Sequence, residues 1–155
     1  MPMDIFAHGL VTYAVRQSAN IRSNWRWLVF FGMFPDLVWL PFTALQFLTH
    51  GNIYYFQGPY NLSHSFVIWV AVSLLATIRW RKIFFYTWPW ALHILIDIPG
   101  HLDMRTPILW PISNFKFHGL FSWLTLPWLL ATYGALAISF FWLWRAGRLK
   151  PKSTR

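Results

Sequence analysis

The sequence predicts an all-α fold: a polytopic helical bundle integral to a membrane, of about five segments, with helices broken near a shared site. Three observations predict it. The chain is 57% hydrophobic, with 12 Trp and 15 Phe among 155 residues. Trp27 to Ile78 carries one formal charge, Asp36, and Phe117 to Trp144 carries none. Such runs reach the ~20 apolar residues that a spanning helix needs. The cations flank these runs, at Arg16, Arg22 and Arg26, then at Arg79, Arg81 and Lys82, then from Arg145 onward. That is the positive-inside pattern. A soluble core of this apolarity would need a far longer chain to enclose it. One domain is expected, with 1–148 as a transmembrane metal-site domain and 149–155 as a basic cytoplasmic tail suited to anionic headgroups. The net charge of +9 is thereby assigned to membrane lipids as partners and not to nucleic acid.

Taken in order, residues 4–19 form a modest amphipathic to apolar stretch ending at Arg16. Residues 25–48 are apolar, but Pro35 removes a helix hydrogen bond and is expected to bend or break the helix. Residues 49–62 hold Gly51, Asn52, Gly58, Pro59 and Asn61 and read as a loop. Residues 63–78 and 83–98 form two further segments, the second stopped by Pro99-Gly100. Residues 99–117 read as a long loop, and 118–144 as the last span. No basic n-region with a small-residue cleavage site is evident, so a cleavable signal peptide is not expected. The basic clusters place 20–26, 79–82 and the C-terminus on the cytoplasmic side.

The acidic residues are Asp4, Asp36, Asp97 and Asp103; there is no Glu and no Cys. Asp4 and His8 are spaced i, i+4 and share a helix face, as do His93 and Asp97; His101 follows four residues later. At 1.5 Å per helical residue, Asp36 lies ~15 Å from Arg26, His93 ~16 Å from Lys82 and His8 ~12 Å from Arg16. His64 lies ~22 Å from Arg79 by the same measure. Separate helices thus carry His or Asp to similar depth, in the middle to outer half of a ~30 Å core. That convergence favours inserting residues 4–19; a surface-lying first helix would leave four segments. Carboxylate and neutral imidazole together form a ligand set for zinc, manganese or iron.

Plainer roles compete at each position. An unpaired aspartate at mid-depth is costly, so Asp36 needs a partner unless it caps a helix after Pro35. His93 and Asp97 can serve as a hydrogen-bonded pair that locks helices. Asp4 can act as an N-cap as readily as a ligand. His50 and His118 have no nearby acid in sequence and are expected at interfaces. For Ser63 and Ser65, beside His64, helix capping is expected rather than nucleophilic catalysis.

These pieces, in order, resemble the YdjM-like family of predicted membrane-bound, metal-dependent hydrolases. The pieces are MDIFAHG (3–9), GMFPD (32–36), SHS (63–65), HILIDIPGH (93–101) and TPILWPIS (106–113). The resemblance implies a metal site on His8, Asp36, His64, His93 and Asp97, with Asp4 and His101 as further candidates. It also implies a prokaryotic cytoplasmic membrane. Val38 stands where many members carry a second Asp, which weakens the case for a second metal. More distantly, the motif order is similar to zinc phospholipase C and P1-type nucleases.

The expected function is a hydrolase acting on a lipid-like ester or phosphoester through metal-activated water. Zinc leads as cofactor, with manganese and iron as alternatives. Asp36 or Asp97 would ligate the metal or take the proton. Arg105 and Lys116, on the extracytoplasmic side, would steady an anionic group. The rival functions are a non-enzymatic protein whose His–Asp pairs fix packing, and a metal or proton transporter. A ceramidase-like zinc amidase fits the motif order less well.

Overall fold

A computed structural model describes residues 5–49, 57–102, 105–122 and 125–149. Among these there are six helices and no strand. They are α1 (Ile5–Ser18), α2 (Trp25–Thr49), α3 (Gln57–Ser63), α4 (Phe66–Arg79), α5 (Phe84–Gly100) and α6 (Leu126–Arg145). α2 is the central element, packed by α1, α3 and α5. α4 covers α5, and α6 touches only α1 among the described helices.

The bundle is inside out relative to a water-soluble domain. The buried polar set, with three Ser, three Thr, four His and two Asp, is larger than the buried apolar set. Meanwhile α4 exposes Leu74, Leu75 and Ile78, and α6 exposes Leu126, Leu130, Phe141 and Trp142. Exposed apolar area on this scale marks an interaction surface. α2 and α6 are each long and apolar enough to cross a membrane, and α3 with α4 makes a third candidate, bent by 61°. α1, at 14 residues, falls short of the length of a full span, and α5, at 17, sits at its lower limit. The count of candidate spans is therefore two or three, beside the five segments expected.

Three boundaries differ from the sequence expectation, each for a physical reason. α2 runs unbroken through Pro35 and Pro41, because flanking turns and packing on three neighbours hold it. The break falls instead at His64-Ser65. There Ser65 is extended, and its Oγ accepts from Val67 N–H and Ile68 N–H to cap α4. Residues 57–62, expected as loop, are helical within α3 because Pro59 sits in the first turn, where no N–H is needed. The last helix starts at Leu126, with Pro127 in its first turn, and not at 118. Residues 117–122 instead pair with the chain leaving α5, through bridges His101–Ser122 and Thr106–Phe117.

Glycine permits two close approaches that matter to the site. A Cβ on Gly32 would lie 2.3 Å from Thr12 Oγ1, so α1 and α2 touch backbone to side chain there. A Cβ on Gly119 would lie 2.5 Å from the His101 carbonyl carbon, which seats the 117–122 segment on the end of α5. Its anchors are Leu120 N–H and Phe121 N–H, both donating to the Pro99 carbonyl.

Candidate metal centre

α1 and α2 pack antiparallel, with Gly9 against Met33 and Gly32 against Thr12. That pairing sets His8 beside Asp36. α5 lies along α2 and brings His93 and Asp97 to the same level. The α3–α4 break adds His64, held by its N–H to the Tyr60 carbonyl and by Trp90 Nε1–H donating to the Ser63 carbonyl at 2.6 Å. His101 follows Asp97 by one turn. All six side chains are buried.

The ring nitrogens converge on the two carboxylates. Asp97 Oδ2 lies 3.0 Å from His93 Nε2 and 3.2 Å from His64 Nε2; its Oδ1 lies 3.3 Å from His8 Nε2 and 3.5 Å from His101 Nδ1. Asp36 stands slightly back, at 3.7 Å from His93 Nε2, 3.8 Å from His64 Nε2 and 4.0 Å from His8 Nε2. The Nε2 atoms of His64 and His93 are 3.3 Å apart. His8 stacks on His93 at 3.7 Å between centroids, and Tyr60 stacks on His64 at 4.1 Å.

The far side of the rings decides what the near side is. His93 Nδ1 lies 2.8 Å from the Gly32 carbonyl, and His64 Nδ1 lies 3.1 Å from the Tyr60 carbonyl. A carbonyl only accepts, so His93 Nδ1 carries the proton, whereas His64 Nδ1 also lies 2.9 Å from Ser63 Oγ, a hydroxyl that can donate or accept. In the neutral tautomer His93 Nε2 then presents a lone pair, and it points at carboxylate oxygens that also only accept. Lone pairs facing each other at this range need a cation between them. Consistent with that, His8 Nε2, Asp36 Oδ2 and both Asp97 oxygens are buried without a hydrogen-bond partner. A backbone carbonyl on the distal ring nitrogen is the usual support of a metal-bound histidine. Two triads, His8–Asp36–His93 and His64–His93–Asp97, each bring ligand atoms within 4.8 Å of one another and could hold a metal ion. Two carboxylates and a divalent cation also sum to zero charge, as an apolar interior favours. The donor set therefore fits the group.

Not every expected residue joins the cluster. Asp4, like His50 and Asp103, lies outside the described residues. Arg105 is exposed, and Lys116 donates to Gln57 Oε1 at 3.1 Å. Neither forms an ion pair with Asp36 or Asp97. Arg105 and Lys116 are near enough to interact: partial burial, then the Arg105 charge, hold the Lys116 ammonium below its ordinary pKa. His118 is exposed and turned to the Gly119 carbonyl. Ser65 is a helix cap, as expected, and also donates to the Trp110 carbonyl.

Two contributors were not singled out from the sequence. The Gly32 carbonyl orients His93, and its only signal was a place one turn before Asp36. Tyr60 stacks on His64 from one turn before it. No family model, no curated protein and no solved structure matches this chain.

Proposed function

We propose that this chain is a membrane-embedded, metal-dependent hydrolase of the YdjM-like kind, acting on a lipid-like ester or phosphoester. One observation carries the reading: the Nε2 lone pair of His93, whose Nδ1 proton goes to the Gly32 carbonyl, is aimed at carboxylate oxygens of Asp97 and Asp36 with no donor between them. Apolar helix surfaces and burial of the cluster support a lipid-like substrate over a freely soluble one.

A divalent metal held by these residues, zinc first by donor type, supplies Lewis-acid activation of water at neutral pH. Asp97 acts as anchor: four histidine rings surround it, and its side chain is 1% exposed. Asp36 is the general base. It stands back from the rings, and its side chain is 9% exposed against 1% for Asp97, which supports Asp36 over Asp97 as the group that takes the proton from the attacking water. Water adds to the carbonyl or phosphorus, the ester bond to the alcohol breaks, and the proton held on Asp36 passes to the departing alkoxide. His101 orients Asp97 through its ring nitrogen, 3.0 Å from the Asp97 backbone carbonyl. Arg105 and Lys116 attract the anionic group from the same side.

The test is hydrolysis of lipid phosphoesters and carboxylesters by purified protein in detergent. Activity should vanish on metal removal and return with zinc or manganese. Asp36→Asn should lower kcat by a hundredfold or more, on the order of a lost general base. Full activity in the stripped protein, or an unchanged kcat in Asp36→Asn, contradicts the assignment.

A second reading has its own support: Nε2–carboxylate distances of 3.0 to 3.3 Å are hydrogen-bond distances. With no metal, the contact at His93 requires an imidazolium, because its Nδ1 proton is already committed to the Gly32 carbonyl. The cluster is then a structural ion-pair network, and its proton count at neutral pH, read by NMR, separates the two.

A further inference from the structure

At the other end of the bundle, a cleft of about 760 Å³ opens between the start of α2 and the α4–α5 turn. Its walls are Trp27, Phe31, Ile83 and Tyr86, and its rim carries Arg81 and Lys82. We propose that this cleft is a binding site for an anionic phospholipid, with the headgroup phosphate on Arg81 and Lys82 and acyl chain along the aromatic wall. The proposal rests on the membrane embedding above and not on the hydrolysis.

Charge complementarity selects the occupant. The helix polarities collect the cations at this end. The links α1–α2 and α4–α5 both lie here, and Arg148 beyond α6 reaches the Ser18 carbonyl at the end of α1. No acid lines the cleft. Asp36 lies about one and a half helical turns beyond Phe31 along α2 and Asp97 about three turns beyond Tyr86 along α5, and Asp4 and Asp103 fall in sequence at the opposite ends of α1 and α5. Arg81 and Lys82 are exposed and make no ion pair among the described residues, so both can meet a phosphate. An aromatic wall beside two cations matches a lipid at the headgroup boundary, where Trp and Tyr concentrate and each nearby cation favours anionic lipid. The volume lies within the ordinary range for ligand clefts.

The test is native mass spectrometry of detergent-purified protein offered phosphatidylglycerol or phosphatidylcholine, alongside an Arg81→Gln/Lys82→Gln variant. Wild type should prefer phosphatidylglycerol roughly ten- to thirtyfold, and the variant should lose that preference. Ile83→Trp, which fills the cleft and keeps both charges, should lose the lipid too. Equal binding of the two lipids by wild type, retention in either variant, or displacement by millimolar inorganic phosphate overturns the proposal. Fractionation keeps the two claims apart. Membrane-resident protein without headgroup preference contradicts the cleft alone, whereas protein recovered in the soluble fraction contradicts the embedding.

Discussion

α5 and α6 are near equals in composition and opposites in use. Both are long apolar helices rich in aromatic residues. α5 buries His93, Asp97, Trp90 and Ile94 and packs on α1, α2 and α4. α6 buries only Leu136 and Leu143 and, among the described helices, packs on α1 alone. In a bundle of this kind apolarity does not locate the core, because lipid accepts the same side chains. What locates the core is where polar groups must be hidden from lipid. Among the described residues the interior is organised by its histidines and aspartates, and α6, long and apolar enough to cross a membrane, leaves most of its side chains exposed.

That contrast can be broken most severely at Asp97. Asp97→Ala removes the carboxylate shared by four imidazoles and should cost about 3–5 kcal/mol of stability, together with all bound metal. Thermal unfolding in detergent, followed by Trp fluorescence, reads the first and elemental analysis the second. Gly32→Ala comes next. Its Cβ would strike Thr12 and press on the His8 backbone, forcing α1 off α2 at about 1–3 kcal/mol. The Gly32 carbonyl that orients His93 would move too, so metal affinity should fall ten- to a hundredfold. Competition with a chelator of known affinity measures that fall.

Smaller effects sharpen the comparison. Ser65→Ala loses the α4 cap and the tie to Trp110 and should cost about 1 kcal/mol, with metal content kept. Gly134→Ala in α6 meets nothing within 4 Å. It should leave metal untouched and, as a helix-interior Gly→Ala change, raise stability by about 0.5–1 kcal/mol. A Gly134 variant that loses metal, or a Gly32 variant that does not, would erase the distinction between the two helices.

The sequence made the cluster legible further than the fold. His8, Asp36, His64, His93 and Asp97 lie together, at the similar depth that their distances from the basic clusters suggested, whereas His101, expected in a loop, joins them because α5 runs on through Pro99 to Gly100. Residues 57–62 were opaque because Gly58, Pro59 and Asn61 signal loop, while Pro59 is harmless in a first turn. Pro35 misled in the opposite direction, since packing on three neighbours overrode the lost hydrogen bond. The Gly32 carbonyl was invisible because a backbone acceptor has no residue-type signature. Arg105 and Lys116 share a region by chain proximity, but nothing in their spacing specified how near the carboxylates they would stand.

The central claim is that the opposed lone pairs enclose a metal. Elemental mass spectrometry of tag-free, detergent-purified protein tests it directly, beside His93→Ala and Asp97→Ala. The account predicts near-stoichiometric zinc, manganese or iron in the wild type and its loss in both variants. A folded wild-type protein that holds no metal, even after metal is offered, would contradict it and leave the cluster as a protonated His–Asp network.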